Sequence, residues 1–322
     1  SMSGFTTSGA TVIAHNMSPN CIPGTTADCI NAQPRGLLLW RSLTQWLGGM
    51  GVVMLGMLVL SRIMGGGMAL ARAELTGPSL SRLRPKLRET AIVLWSLYFL
   101  LTVIELLCLK FIGGMSFFDS VNHALTTMPS GGFSTRDGSI GFYNSATIDM
   151  IIIVFMFLAG VNFTLIWLAG SGNIKQAFRD EEFRTYLWYI GIAVAIITTT
   201  LLIANYAAGA SLRHTLFTVL SIGTSTGYSS TDYGSWPVLA RLVLLILMIV
   251  GACAGSTSGG LKLMRIRLAL KIAFRELSRI AQPRKVQMIR MNGEVVEQKQ
   301  VGLIVGMLFI WVALFAVSVI LL

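Results

Sequence analysis

Met128-Pro129-Ser130-Gly131-Gly132-Phe133-Ser134-Thr135-Arg136-Asp137 and Thr224-Ser225-Thr226-Gly227-Tyr228-Ser229-Ser230-Thr231-Asp232 are polar segments of one pattern set among apolar stretches. From their glycines they align without a gap, Gly-Phe-Ser-Thr-Arg-Asp against Gly-Tyr-Ser-Ser-Thr-Asp. Each follows a short apolar stretch, 116–128 and 212–222. Neither stretch reaches the roughly 20 apolar residues that a helix needs to cross a membrane, so both read as half-helices dipping into it. Longer apolar stretches flank each pair: 91–112 and 148–169 around the first, 186–207 and 238–250 (extended to about 264) around the second. A unit of span, half-helix, polar Gly/Thr/Ser segment and span is therefore present whole twice. The chain opens with Gly4-Phe5-Thr6-Thr7-Ser8-Gly9-Ala10-Thr11 and a stretch at 42–60, the back half of such a unit. It closes with 301–322, the front of another.

Composition agrees with a helical membrane protein of many passes. Of 322 residues, 54% are apolar and only 12% charged, about half the charge of a soluble domain. The mean hydropathy is +0.70. A soluble enzyme, a secreted disulfide scaffold and a disordered tail are excluded. The formal charge of +11 would suggest nucleic acid in a soluble chain. Here the basic residues sit between the apolar stretches and report orientation instead, so no nucleic-acid partner is expected. Residues 62–90, 170–185 and 260–299 hold six, three and ten of the 25 basic residues. Arg82, Arg84, Lys86 and Arg88, then Lys175, Arg179 and Arg184, are among them. The alternate loops carry Asp28, Asp119, Asp137, Asp149 and Asp232. The basic loops are therefore cytoplasmic. Cys21 and Cys29, which flank a Pro/Gly/Thr-rich loop, face an oxidising exterior or periplasm and are spaced to form a disulfide. Cys108 and Cys253 lie in apolar stretches as small buried residues.

The repeated polar segment dictates the chemistry. Irregular backbone at membrane depth exposes carbonyl groups that lipid cannot satisfy and a water-filled pore can. The half-helices point the partial negative charge of their C-terminal ends inward. Carbonyl rings with such helix ends bind a dehydrated monovalent cation, and glycine permits the backbone geometry that turns carbonyls inward. Gly9, Gly132 and Gly227 each precede an x-Ser or x-Thr pair and are expected as equivalent filter positions, with Gly4 a rival for the first. The expected filter residues are Thr7, Ser8 and Gly9; Ser130, Gly131, Gly132 and Phe133; and Ser225, Thr226, Gly227 and Tyr228. The ion expected there is a dehydrated monovalent cation, with no other metal and no bound cofactor.

Four stretches carry a family resemblance: Gly4 to Thr11, Arg35 to Gly51 (Arg-Gly-Leu-Leu-Leu-Trp-Arg-Ser-Leu-Thr-Gln-Trp-Leu-Gly-Gly-Met-Gly), Gly131 to Asp137, and Ala254 to Lys262 (Ala-Gly-Ser-Thr-Ser-Gly-Gly-Leu-Lys). Together they resemble the TrkH branch of the Trk/Ktr/HKT potassium-transporter superfamily, along essentially the whole chain. The resemblance implies four channel-like repeats in one subunit of the bacterial inner membrane, a homodimer, and a cytoplasmic nucleotide-binding regulatory subunit of the TrkA type. In HKT relatives a serine at the first filter glycine goes with sodium, so Gly9 favours potassium. Against four whole repeats, this chain is expected to be incomplete at both ends. The expected organisation is 1–61 as the back half of repeat one, 62–90 as a linker, 91–169 as repeat two and 170–185 as a second linker. Repeat three follows at 186–264, then a basic cytoplasmic segment at 265–300 and the first span of repeat four at 301–322.

Gly251 to Gly260 interrupts the second span of repeat three with small residues, and its Ser and Thr can line water. The resemblance implies a loop that gates the pore from below. Gly251, Ala254, Gly255, Ser256, Thr257, Ser258, Gly259 and Gly260 are its expected residues, and Lys262 with Arg265 is expected to anchor its lower end in the cytoplasm or the headgroups. Gly255-x-x-x-x-Gly260-Leu-Lys262 approaches a phosphate-binding loop, but Leu261 stands where that motif needs lysine, so nucleotide binding is rejected. Glu105, five residues before Lys110, either functions in the membrane or pairs near a helix end. Asn162 either glues helices or lines the pore. Asp137 and Asp232 either draw cations to the mouth or hold the filter loop. His15, His123 and His214 are too scattered for a metal site.

A channel-like potassium transporter is therefore the leading class. Sodium or mixed K+/Na+ uptake, or the pore subunit of an ATP-driven potassium pump, are the alternatives. An intramembrane enzyme is disfavoured because no Ser/His, Asp/Asp or His-Glu-x-x-His set lies within the spans.

Overall fold

The structure, a computed structural model, describes residues 2–13, 21, 28–51, 87–282, 288–292, 294–296 and 298–321. The latter part of the 42–60 stretch, most of the 62–90 loop with Arg82, Arg84 and Lys86, and His15 lie outside the described residues.

Among the described residues, the regular elements are helices apart from one small hairpin. Helix α1 (Met2–Phe5) is followed by α2 (Arg35–Trp46), which widens into a π-type turn at Leu47–Gly51. Then come α3 (Leu87–Leu107, with a π-type turn to Ile112), α4 (Phe117–Thr127), α5 (Ala146–Gly160), α6 (Phe163–Gly170) and α7 (Ile174–Arg179). The rest are α8 (Glu181–Ile203), α9 (Ala208–Gly223), α10 (Val238–Val250), α11 (Leu263–Ala281), strands β1 (Arg290–Met291) and β2 (Glu294–Val295), and α12 (Gln298–Leu321). The strands pair antiparallel.

Local chemistry sets the helix starts. Ser116 caps α4 by accepting from Asp119 N, and Asp119 complements the helix dipole. Asp180 caps α8, accepting from the amides of Glu182 and Phe183 at 2.9 Å each. Ser145 caps α5.

The stretches Ala91–Ile112 and Glu181–Ile203 are long and apolar enough to cross a membrane. The stretch 148–169, expected as one span, is instead two helices bent by 106°. The break falls at Gly160-Val161-Asn162, where Val161 is extended and Asn162 caps α6 by accepting from Thr164 N at 2.8 Å. The interruption of the last span of repeat three lies at 251–262, between α10 and α11, as expected.

Aromatic girders tie the repeats together. Trp46 of α2 stacks on Tyr98 of α3 (centroids 5.3 Å apart) and donates to Thr102 Oγ1 at 3.1 Å, while Tyr98 donates to Trp46 O. Asp149 of α5 pairs with Arg213 of α9 at 3.4 Å. The outward faces of α3 and α10 expose Phe99, Leu100, Ile104, Leu242, Leu245 and Ile246. Such rows are costly in water and suited to lipid.

Candidate ion pathway

Three helix ends deliver three short segments of the same shape. After α1, Thr7 has φ 52° and Gly9 φ 65°. After α4, Ser130 has φ 55° and Gly132 φ 72°; after α9, Ser225 has φ 60° and Gly227 φ 83°. A left-handed residue other than glycine costs about 1–2 kcal/mol, so the surroundings must impose the conformation, and such outliers gather at functional sites. Gly4, the rival for the first position, lies inside α1.

The imposing contacts repeat as well. Ser3 Oγ donates to Ala10 O at 2.9 Å, Thr126 Oγ1 to Phe133 O at 2.8 Å and Ser221 Oγ to Tyr228 O at 2.6 Å, each across seven residues. Thr7, Ser130 and Ser225 each donate their amide to the carbonyl three residues back, at 2.8–3.0 Å. In the two whole repeats the next two amides converge on one carbonyl. Gly131 and Gly132 both donate to Thr126 O, and Thr226 and Gly227 both donate to Ser221 O. Ser3, Thr126 and Ser221 were not singled out from the sequence, although a hydroxyl residue stands at the same offset before each filter glycine.

The segments face one another in order. A side chain on Gly9 would overlap Gly131 O, and one on Gly132 would overlap Thr226 O. Gly227 faces open space. All three glycines line a cavity of about 300 Å³ together with Ile30, Ser134, Arg136 and Asp137. The cavity has room for several water molecules at about 30 Å³ each.

A polar collar holds the outer rim. Asp137 accepts from the amides of Cys29 (2.6 Å) and Ile30 (3.1 Å), and Cys29 is bonded to Cys21, with Cα atoms 5.1 Å apart. Arg136 pairs with Asp28 at 3.7 Å. Thr135 donates to Asp119 at 2.6 Å, and His123 Nε2 meets Ser134 Oγ at 3.1 Å. Asp137 thus both lines the cavity and holds the collar. Asp232 does neither, capping a single 3₁₀ turn through Gly234 N.

The segment 251–260 packs directly against the inner ends of the filter segments. Thr257 Oγ1 donates to Met128 O at 2.8 Å and lies 3.1 Å from Ser130 Oγ. A side chain on Gly259 would press on Ser225. The loop docks into the break between α5 and α6. Cys253 N donates to Gly160 O (3.1 Å), Phe163 N to Gly255 O (3.1 Å) and Thr257 N to Ala159 O (3.3 Å). Two interrupted spans therefore satisfy each other's open backbone groups, which membrane depth requires. Asn162 belongs to this joint and not to the cavity lining.

Two charged residues hold the loop. Glu182 Oε1 accepts from Ala254 N at 2.6 Å. Lys262 turns inward, only 9% exposed, and its ammonium donates to Ser256 O at 3.2 Å and to Ser258 O. This corrects the expectation that Lys262 reaches the cytoplasm or the headgroups; the bare loop carbonyls draw it in. Of the two readings of Glu105, pairing with Lys110 is not made among the described residues. Glu105 is wholly buried, and Lys110 donates to Met115 O at 3.4 Å.

Residues 1–322 match the model of the TrkH family, described as cation transport protein. The chain is 36% identical over 322 residues to the Trk system potassium uptake protein TrkH of Escherichia coli (strain K12), covering 99% of this chain and 64% of that protein. It is 33% identical to the Trk system potassium uptake protein TrkG of the same strain, covering 99% of this chain and 63% of that protein. The crystal structure of the potassium transporter TrkH from Vibrio parahaemolyticus superposes with a TM-score of 0.81 at 31% identity, covering 98% of this chain and 62% of that one. The chain therefore spans just under two thirds of the length of these relatives.

Proposed function

The chain belongs to the TrkH family of cation transport proteins, and on that premise we propose that it builds most of a channel-like pore for potassium uptake across the bacterial inner membrane. The observation that carries the proposal is the convergence of Gly9, Gly132 and Gly227 on one cavity, each just past a helix end and each in the same left-handed conformation. Carbonyls of these segments replace the water shell of K+, and the helix ends contribute negative potential. The open side of Gly227 takes a fourth segment that completes the ring.

Residues 251–260 act as the gate. They are braced by Thr257 above and by Lys262 and Glu182 below, so a shift of the cytoplasmic elements is transmitted to the underside of the filter. The relatives are named as parts of a Trk system, which supports a protein that works within such a system; a cytoplasmic regulatory subunit of TrkA type and a homodimeric assembly complete the proposal. K+ is cargo, and no cofactor or catalytic reaction is assigned. The repeats divide as 1–61, 91–169 and 186–264, with 301–322 opening the fourth.

Radioactive rubidium uptake into vesicles carrying the natural full-length protein tests the reading. Uptake that potassium competes away is expected; vesicles no more permeable than protein-free ones would overturn it.

A further inference from the structure

Gln45 is fully buried in α2, behind the second filter segment. Its Nε2 donates to Gly131 O at 2.8 Å, and its Oε1 accepts from Phe133 N at 3.2 Å. Only this orientation of the amide satisfies both partners, since a carbonyl cannot donate and an amide N–H cannot accept. The amide lies flat against Gly131, where any side chain would overlap its atoms.

Segments one and three carry Ser8 and Thr226 at the place of Gly131. The second segment thus differs in two linked respects: it lacks a side chain, and it gains a buried donor on a filter carbonyl. Among the described residues no donor reaches Ser8 O or Thr226 O. The Gly131 carbonyl is also the atom that a side chain on Gly9 would overlap.

Resting on the potassium-pore reading, we propose that Gln45 is a specificity-determining residue that acts through the Gly131 carbonyl. Its N–H draws charge from that oxygen and fixes its position, so the ion-binding ring is asymmetric, with one weaker ligand. A small ion approaches an oxygen more closely than K+ does and loses more when the oxygen's charge is drawn off. Gln45 therefore biases the ring against Na+.

Sodium and rubidium uptake are measured side by side in the natural full-length protein and in three variants. Gln45→Leu and Gln45→Met each remove the donor to Gly131 O together with the acceptor for Phe133 N. Gln45→Ala with Gly131→Ser gives segment two the pattern of the other two. The sodium-to-rubidium ratio is expected to rise about fivefold in each, the size set by one hydrogen bond. Gly131→Ser alone is expected to reach the membrane poorly and to be rescued by Gln45→Ala. An unchanged ratio in any variant that carries rubidium overturns the role of Gln45. So does Gly131→Ser being tolerated equally with and without Gln45, which decides the matter if the single Gln45 variants fail to fold. No rubidium uptake by the unaltered protein strikes the potassium reading itself, whereas normal uptake with an unchanged ratio strikes only this inference.

Discussion

Thr257 Oγ1 sits 3.1 Å from Ser130 Oγ, joining the loop that breaks the last span of repeat three to the strained serine that opens the second filter segment. The same hydroxyl reaches Met128 O at 2.8 Å and Ala159 O at 3.2 Å. One side chain therefore joins the loop 251–260, the glycine segment 130–133 and the bend between α5 and α6.

Removing that hydroxyl should loosen the gate. Thr257→Val keeps the shape and deletes the hydrogen bonds, each worth about 1 kcal/mol. Rubidium flux measured without the regulatory partner is expected to rise about fivefold. Deleting Ser256 to Ser258 should raise it further. Flux unchanged in both variants, at normal membrane levels, would make the loop a packing feature.

Gly132→Ser should damage the filter itself. The left-handed conformation costs a non-glycine residue about 1–2 kcal/mol, and the new side chain overlaps Thr226 O. Discrimination of K+ over Na+ is expected to fall by tenfold or more. Retained selectivity would count against Gly132 as a filter position.

The hydroxyl struts offer a test of the repeat. Ser221→Ala removes the bond to Tyr228 O, and Thr126→Val removes the bond to Phe133 O together with the contact to Tyr228 Oη at 2.6 Å. Each should weaken thermal stability by about 1 kcal/mol per lost bond and lower selectivity to a similar degree, because the two residues do the same task. Loss of selectivity from only one of them would show that the segments are not equivalent.

The collar predicts a redox dependence. Cys21 is bonded to Cys29, whose amide donates to Asp137 at the rim. Reduction, or Cys29→Ser, should lower stability by about 2–3 kcal/mol, read as a drop in the thermal midpoint in detergent. Mass spectrometry showing two free thiols in unreduced protein would contradict this.

Much of this architecture is legible in the chain. The alignment of Gly132-Phe133-Ser134 with Gly227-Tyr228-Ser229 reveals the repeat, and the small-residue run 251–260 reveals the broken span. The rest depends on distant partners. Gly160 and Asn162 mark an interruption at 160–162, but its 106° bend is set by backbone bonds to a loop some ninety residues away. Lys262 looks like an ordinary cytoplasmic anchor until the bare carbonyls of Ser256 and Ser258 are brought beneath it. Gln45 is one polar residue beside Arg41, Ser42 and Thr44, and its meaning lies in the missing side chain of Gly131.

The central claim is that Gly9, Gly132 and Gly227 stand around a bound potassium ion. Crystals of the natural full-length protein grown in thallium or rubidium salts test it most directly through anomalous scattering. An anomalous peak on the axis between the three glycine segments, reduced when potassium is restored, is the predicted result. A cavity without such a peak, or an ion bound only elsewhere in the protein, would contradict it.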